Sequence, residues 1–171
     1  YDALISERCY KVALGRDADP EGLKYWQDKL DNYKYCGAQV GYGFIFSDEY
    51  KATNTSDEQF IKDLYKMFFD REPDQAGYDY WMGQMKNKTS REEVFAGFAN
   101  SDEFFDLCSA SNVARGIYIP GYDLEKQGGI NGFVARLYKV CLGRLPEKEG
   151  HEYWVNKLIA GEKTGTDVSR E

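Results

Sequence analysis

One pattern of residues occurs three times along the chain, and this repetition constrains the fold more than any other feature. In each copy a tyrosine is followed six residues later by an arginine, six residues after that by a glycine, and four residues further by the tryptophan of a Tyr-Trp pair. The three tryptophans are Trp26, Trp81 and Trp154. Since each copy of a repeat folds as one supersecondary unit, we expect the copies to stack and to share a core.

Within each copy the apolar residues recur at the interval of an α-helix, and no alternation of period two competes with it. A first helix is expected to end near Gly15 and Gly143, because glycine is best suited to the left-handed turn that follows a helix, whereas the middle copy has Asp70 at that position. A second helix begins at Asp19-Pro20 in the first copy, and its tryptophan lies on the buried side.

The complete copies predict two further helices. A third segment covers residues 40–46 and 94–99, where Gly43 and Gly97 suggest a close crossing with another helix. Ser47 and Ser101 then cap a short fourth helix. The predicted fold class is all-α, with three tandem helical repeats of about four short helices each, the last one incomplete, packed around a shared core.

An insertion separates the second copy from the third. The offset between copies is 55 residues and then 73, so about 18 residues are inserted before the third copy. The inserted stretch contains Gly116, Pro120 and Gly121, which are typical of a connector. We therefore divide the chain into two repeats over residues 1–108, a connector over residues 109–132, and a third, truncated repeat over residues 133–171.

The charge balance argues against one class of partner. The chain has 22 Lys and Arg against 29 Asp and Glu, a net charge of −7, which repels the phosphates of nucleic acids. Its apolar stretches are a few residues long, against the ~20 needed to cross a bilayer. We therefore expect neither a nucleic-acid partner nor membrane insertion.

The recurring residues resemble a known family, the bacterial domain of unknown function 4214. The residues that carry the resemblance are Leu14-Gly15-Arg16, Gly22, Tyr25-Trp26, Gly97-Phe98, Ser101 and Glu103-Phe104. The middle copy departs from the pattern at Phe69-Asp70-Arg71, and the third copy lacks the closing Ser-x-Glu-Phe. The resemblance implies helical repeats from secreted or cell-surface proteins and a module without catalysis, and it supplies no ligand.

The repeated arginines Arg16, Arg71 and Arg144 follow the ends of the first helices. An anion site is one interpretation of them. We favour a structural role, because a guanidinium in that place can satisfy free helix carbonyls and pair with an acid three residues further on.

Acids around the first of these arginines imitate the spacing of a calcium loop, namely Asp17, Asp19, Glu21 and Asp28. Pro20 begins a helix inside that loop, and the other two copies lose the pattern. The acids are better explained as a capped helix start, so no metal site and no cofactor are predicted.

No arrangement typical of an enzyme stands out. His151 is the only histidine, and it occupies the core position held by Leu23 and Tyr78 in the other copies. A packing role is therefore expected for His151 instead of a catalytic one. Paired carboxylates for glycoside hydrolysis stay open as an alternative, but no motif selects a pair among the 29 acids.

The four cysteines, Cys9, Cys36, Cys108 and Cys141, include no CxxC pair and permit two disulfides in three pairings. We favour Cys9–Cys36 and Cys108–Cys141, the nearest neighbours along the chain. Four buried thiols are the alternative.

Five tyrosines lie outside the repeated pattern: Tyr33, Tyr35, Tyr42, Tyr118 and Tyr122. Tyrosine offers a large contact area at small entropic cost, so these residues are the candidates for a recognition surface. The alternative is that the connector folds back over the repeats and buries them.

These observations predict a non-catalytic binding module of an exported bacterial protein, secreted or at the cell surface. Its expected partner is a protein of the host or of the bacterial surface, for example an immunoglobulin. The alternatives are a glycan-binding module and a spacer associated with the cell wall. The function rests on analogy with other surface modules.

Overall fold

The computed structural model describes the backbone of residues 2–170 and the side chains of residues 5–170. Within that part of the chain the secondary structure consists of helices without a strand, which confirms the all-α prediction. The helices are α1 Asp2–Leu14, α2 Pro20–Asp31, α3 Gly37–Ile45, α4 Asp48–Ala52, α5 Asp57–Phe69, α6 Gln75–Lys86, α7 Arg91–Ala99, α8 Asp102–Ala110, α9 Leu124–Leu142, α10 Lys148–Ile159 and α11 Gly165–Val168.

The helices follow the predicted order of repeats. Each copy begins with a long helix (α1, α5, α9), followed by the tryptophan-bearing helix (α2, α6, α10). The complete copies add a third helix (α3, α7) and a fourth (α4, α8), whereas the third copy has only the short α11 after α10 within residues 2–170.

Local signals in the sequence set the helix ends. The carboxylates of Asp19 and Asp74 accept the backbone N–H of the glycine three residues on, at 2.7 and 2.8 Å, and so cap α2 and α6. The first helices end on left-handed residues, Gly15, Asp70 and Gly143, with φ of 63, 53 and 67°.

The first two repeats share one core, in which α1 packs against α5. Ile5 and Cys9 of α1 lie beside Met67 and Phe68 at the end of α5. Further along α1, Val12 lies beside residues of the first half of α5. The two helices therefore run antiparallel. The third repeat has a smaller core, formed where α9 and α10 pack together around Trp154.

Each tryptophan of the complete repeats lies against a glycine of the following helix. A Cβ at Gly43 would lie 2.4 Å from the ring of Trp26, and a Cβ at Gly97 would lie 2.3 Å from the ring of Trp81. Real Cβ atoms essentially never come so close. This is the close crossing that the sequence suggested at both glycines.

In the structure the connector is shorter than the predicted range of 109–132. Helix α8 continues to Ala110, and α9 already begins at Leu124, nine residues before the predicted start of the third repeat. The extra turns of α9 have a structural reason, because they bring Gln127 and Asn131 against the backbone of the connector.

We expect Gly97→Ala to destabilise the fold by about 1–3 kcal/mol, because the new methyl group must displace Trp81 from a packed position. Gly83→Ala, at an uncrowded position of α6, is the matched control. Its Cβ would meet nothing within 4 Å, so the better helix former should stabilise the protein by about 0.5–1 kcal/mol. Urea unfolding of both variants measures the two free energies, and equal effects would contradict the packing argument.

Candidate functional site

The arginine of the first repeat joins three elements of its own copy. Arg16 donates two hydrogen bonds to the carboxylate of Glu49 on α4, at 3.0 and 3.3 Å, and one to Asp19 at 3.3 Å. Its guanidinium also lies over the ring of Tyr10, 4.9 Å from the centroid. The hydrogen bonds from Arg16 lower the pKa of Glu49. Arg16 thus has a structural role in this repeat.

The second repeat reproduces these contacts. Arg71 donates to both oxygens of Glu103 on α8, at 2.9 and 3.0 Å, and lies 3.6 Å from Asp74. In the third repeat Arg144 pairs with Glu147 at 2.6 Å. No glutamate from a fourth helix reaches Arg144 within residues 2–170. Sequence reasoning missed Glu49 and Glu103, although both closely follow the serine that caps the fourth helix.

The acids that imitate a calcium loop have other partners in the structure. Asp19 caps α2 and binds Arg16, and the N–H of Gly22 is the main cause of the lowered pKa of Asp19. Asp28 lies on α2 and accepts from Lys24 at 2.9 Å. These contacts explain Asp19 as the cap of α2 and Asp28 as the partner of Lys24 on the same helix.

The connector is buried between the repeats, and amide side chains satisfy its backbone. Each of three consecutive residues, 117, 118 and 119, pairs with one side-chain amide. The backbone N–H donates to the amide oxygen, and the backbone carbonyl accepts from the amide nitrogen. The amides are those of Asn131, Asn100 and Gln127, in that order, and the distances lie between 2.8 and 3.2 Å. Because an unpaired buried peptide group is costly, these amides let the connector lie inside the protein.

A buried arginine joins the connector to both neighbouring repeats. Arg115 donates to the carbonyls of Asn100 and Ser101 at the end of α7, at 2.7 and 3.1 Å, and to the carboxylate of Glu152 on α10. Only 3% of Arg115 is exposed. A buried guanidinium needs such a full set of acceptors, so Arg115 fixes the third repeat against the second.

The structure brings two of the five off-pattern tyrosines together and buries two. Tyr42 stacks on Tyr118, with ring centroids 5.0 Å apart. Tyr118 and Tyr35 are buried, and their hydroxyls donate to Glu92 and Glu125. Burial raises the pKa of both tyrosines. These two residues are therefore inaccessible to a partner. Tyr118 is buried because the connector folds back over the repeats, and Tyr35 is buried against Glu125 and Gly128 of α9. Tyr33 and Tyr122 are half-buried.

His151 lies in the core of the third repeat. Its Nε2 donates to the carbonyl of Asn131 at 3.2 Å. Burial lowers its pKa to about 4, so the imidazole is neutral at pH 7.

The four cysteines are free thiols, so neither expected disulfide is present. Cys36 directs its Cβ toward the connector, where a side chain at Gly116 would lie 2.6 Å from it. Cys108 is buried, whereas Cys141 is exposed at the end of α9. Burial raises the pKa of Cys9 and Cys36 to about 12, which keeps these thiols protonated and unreactive.

Sequence reasoning missed the most exposed aromatic side chains, which belong to the repeated Tyr-Trp pairs. Tyr25, Tyr80 and Tyr153 are 51, 58 and 48% exposed. Each ring meets its neighbouring tryptophan edge to face, with centroids 5.0, 5.0 and 5.1 Å apart. The signal was present in the sequence, because adjacent helical residues point about 100° apart and cannot both face the core.

The fold and these contacts define a helical repeat protein. The family model described as domain of unknown function 4214 matches residues 6–53 and again residues 41–108. The chain belongs to this family. Among curated proteins and solved structures, none matches the chain. Within residues 2–170 no helix combines the length and the apolar character needed to span a bilayer.

We expect Asn131→Ala to destabilise the protein by about 1–3 kcal/mol, because the N–H of Ile117 loses its hydrogen-bond acceptor. The matched control is Asn156→Ala on α10, where the side chain is exposed. Urea unfolding compares the two variants, and an equally small loss in both would contradict the role of the amide.

Stability should also depend on pH through His151. Its pKa is about 4 in the folded protein against 6.5 for the ordinary side chain, so folding favours the neutral imidazole. Burial of the neutral imidazole therefore carries no protonation cost above pH 6.5. As the pH falls from 6.5 toward 4, the free energy of unfolding decreases by roughly 3 kcal/mol. Between pH 7 and pH 4 the free energy of unfolding of the protein should therefore fall by roughly 3 kcal/mol relative to that of His151→Gln. Urea unfolding of both proteins at each pH measures this difference. A constant difference would contradict the prediction.

Proposed function

We propose that the chain is a non-catalytic recognition module that binds a protein partner through the exposed tyrosines Tyr25, Tyr80 and Tyr153. The observation that supports this proposal is their repetition. Three equivalent positions present a half-exposed aromatic ring that is held from behind by a tryptophan. A ring held in place loses little entropy on binding, and tyrosine is enriched at protein interfaces.

The surroundings of two of these rings also suit a protein surface. Lys29 lies 5.2 Å from the centroid of Tyr25, and Lys157 lies 5.9 Å from that of Tyr153. An aromatic ring next to a cation can contact both apolar and acidic groups of a partner.

The state of the buried nucleophilic groups supports a role without catalysis. The thiols of Cys9, Cys36 and Cys108 are buried with raised pKa values, and the imidazole of His151 is buried and neutral. We further propose that this module belongs to an exported bacterial protein. The first partner to test is a host protein such as an immunoglobulin.

The test is a binding experiment with the whole chain immobilised on a sensor surface and purified immunoglobulin in solution. The variant Tyr25→Ser/Tyr80→Ser/Tyr153→Ser should bind at least about tenfold more weakly, since a central aromatic anchor contributes 2 kcal/mol or more. The matched control is Tyr122→Ser, which removes a half-buried tyrosine of the connector.

Two results would contradict the proposal. Equal binding by the triple variant and the protein would exclude the exposed tyrosines as the anchor. Binding to a glycan array instead of to immunoglobulin or any other serum protein would favour the glycan-binding alternative.

A further inference from the structure

The end of α9 exposes apolar side chains that are covered in the other two first helices. Val140 and Leu142 are 76 and 58% exposed, and Cys141 between them is exposed as well. In α5 the positions equivalent to Val140 and Cys141 are Met67 and Phe68, which are 2 and 1% exposed. We call Arg136, Leu137, Val140, Cys141 and Leu142 the α9 face.

The pairing of α1 with α5 shows what covers this face in the other repeats. Arg8 of α1 donates from Nε to the carbonyl of Met67 at 2.7 Å and from Nη2 to that of Phe68 at 3.4 Å. These carbonyls belong to the last turn of α5, where no backbone N–H of the helix can reach them. The negative end of the α5 dipole further favours a cation there.

This pairing is close to two-fold symmetric. Arg8 and Asp63 occupy equivalent positions in the repeat, and so do Val12 and Met67. Arg8 contacts the backbone of Met67, while Asp63 lies beside Val12 in one surface depression. Two first helices therefore cover each other with the same positions.

Helix α9 carries both halves of this contact. Arg136 occupies the position of Arg8, and it forms no hydrogen bond or ion pair within residues 2–170. The carbonyls of Val140 and Cys141 occupy the positions of the Met67 and Phe68 carbonyls, and in the described part of the chain they accept no hydrogen bond. Arg136 cannot pair with these carbonyls of its own helix, because a helical side chain leans toward the N-terminus whereas the last carbonyls point beyond the C-terminus.

We propose that the α9 face binds a second copy of this chain, so that two α9 helices pair antiparallel as α1 and α5 do within one chain. A second copy fits because the face is self-complementary, and a two-fold axis uses one patch on both partners. Arg136 of each copy then donates to the carbonyls of Val140 and Cys141 of the other copy. The apolar side chains of the two faces meet between these polar contacts.

We expect the second copy to bind weakly, because the α9 face has only five residues and small interfaces are transient. We expect a dissociation constant on the order of 10–100 µM. The proposal is independent of the exposed tyrosines, which lie on α2, α6 and α10.

The first experiment is sedimentation velocity on the whole chain in reducing buffer, from about 5 to 500 µM, which brackets that constant. We expect a reversible monomer–dimer equilibrium. Val140→Asp should abolish the dimer, since it buries a charge at the interface without a partner. Arg136→Ala should weaken the dimer about tenfold, as expected for the loss of charge-assisted hydrogen bonds.

The matched control is Leu107→Asp, which places the same charge on an exposed apolar residue of α8 and should leave the dimer intact. Circular dichroism establishes that each variant keeps its helices. A second readout is alkylation of Cys141, the exposed thiol among the four. Its reaction with N-ethylmaleimide should slow several-fold at dimer-forming concentrations and should not slow in Val140→Asp.

Three results would overturn the proposal. One is a protein that stays monomeric over the whole concentration range. Another is a dimer that persists in Val140→Asp with Cys141 still reactive, because the interface would then lie elsewhere. The third is growth beyond the dimer, because a two-fold pairing of α9 closes at two copies.

Discussion

The approach of the tryptophan to a glycine of the next helix is the contact on which the two complete repeats depend. Trp26 and Trp81 occupy space that any side chain at Gly43 or Gly97 would fill. A similar contact brings the hydroxyls of Tyr10 and Tyr65 against the second helix, at Gly22 and Gly77. Because the ring fills the space above a bare backbone, the second and third helices of a repeat have one way to pack.

The buried connector adds a second constraint, which is polar. A chain segment without regular structure cannot enter a core unless its peptide groups find partners. Here the amides of Asn131, Asn100 and Gln127 provide them, and Arg115 links the connector to Glu152. The third repeat is thus held by specific hydrogen bonds, while the first two repeats are held by a continuous apolar core. Changes in the connector should therefore affect the attachment of the third repeat first.

The proposed dimer and the proposed recognition surface both result from the repeat, but they involve different residues of each copy. Repetition places a tyrosine on the surface of every copy, because its tryptophan neighbour faces inward. It also gives every first helix a face that another first helix can cover. In α1 and α5 these faces meet, whereas in α9 the face is exposed within the described residues, and Val140 is 76% exposed. The pairing of α1 with α5 within one chain is therefore the pattern for the proposed pairing of two α9 helices.

The sequence by itself determined the order of the helices and many of their ends, because caps such as Asp19 and left-handed closures such as Gly143 act within a few residues of the chain. It did not determine the early start of α9 at Leu124. It also indicated the close approach at Gly43 and Gly97. Only the tertiary structure decided which tyrosines are accessible, that the cysteines form neither expected pair, and that Arg16 and Arg71 bind Glu49 and Glu103. The physical reason is distance along the chain. Contacts between residues 30 or more positions apart depend on how helices pack, and the hydrophobic pattern that drives packing is the same for a buried tyrosine and an exposed one.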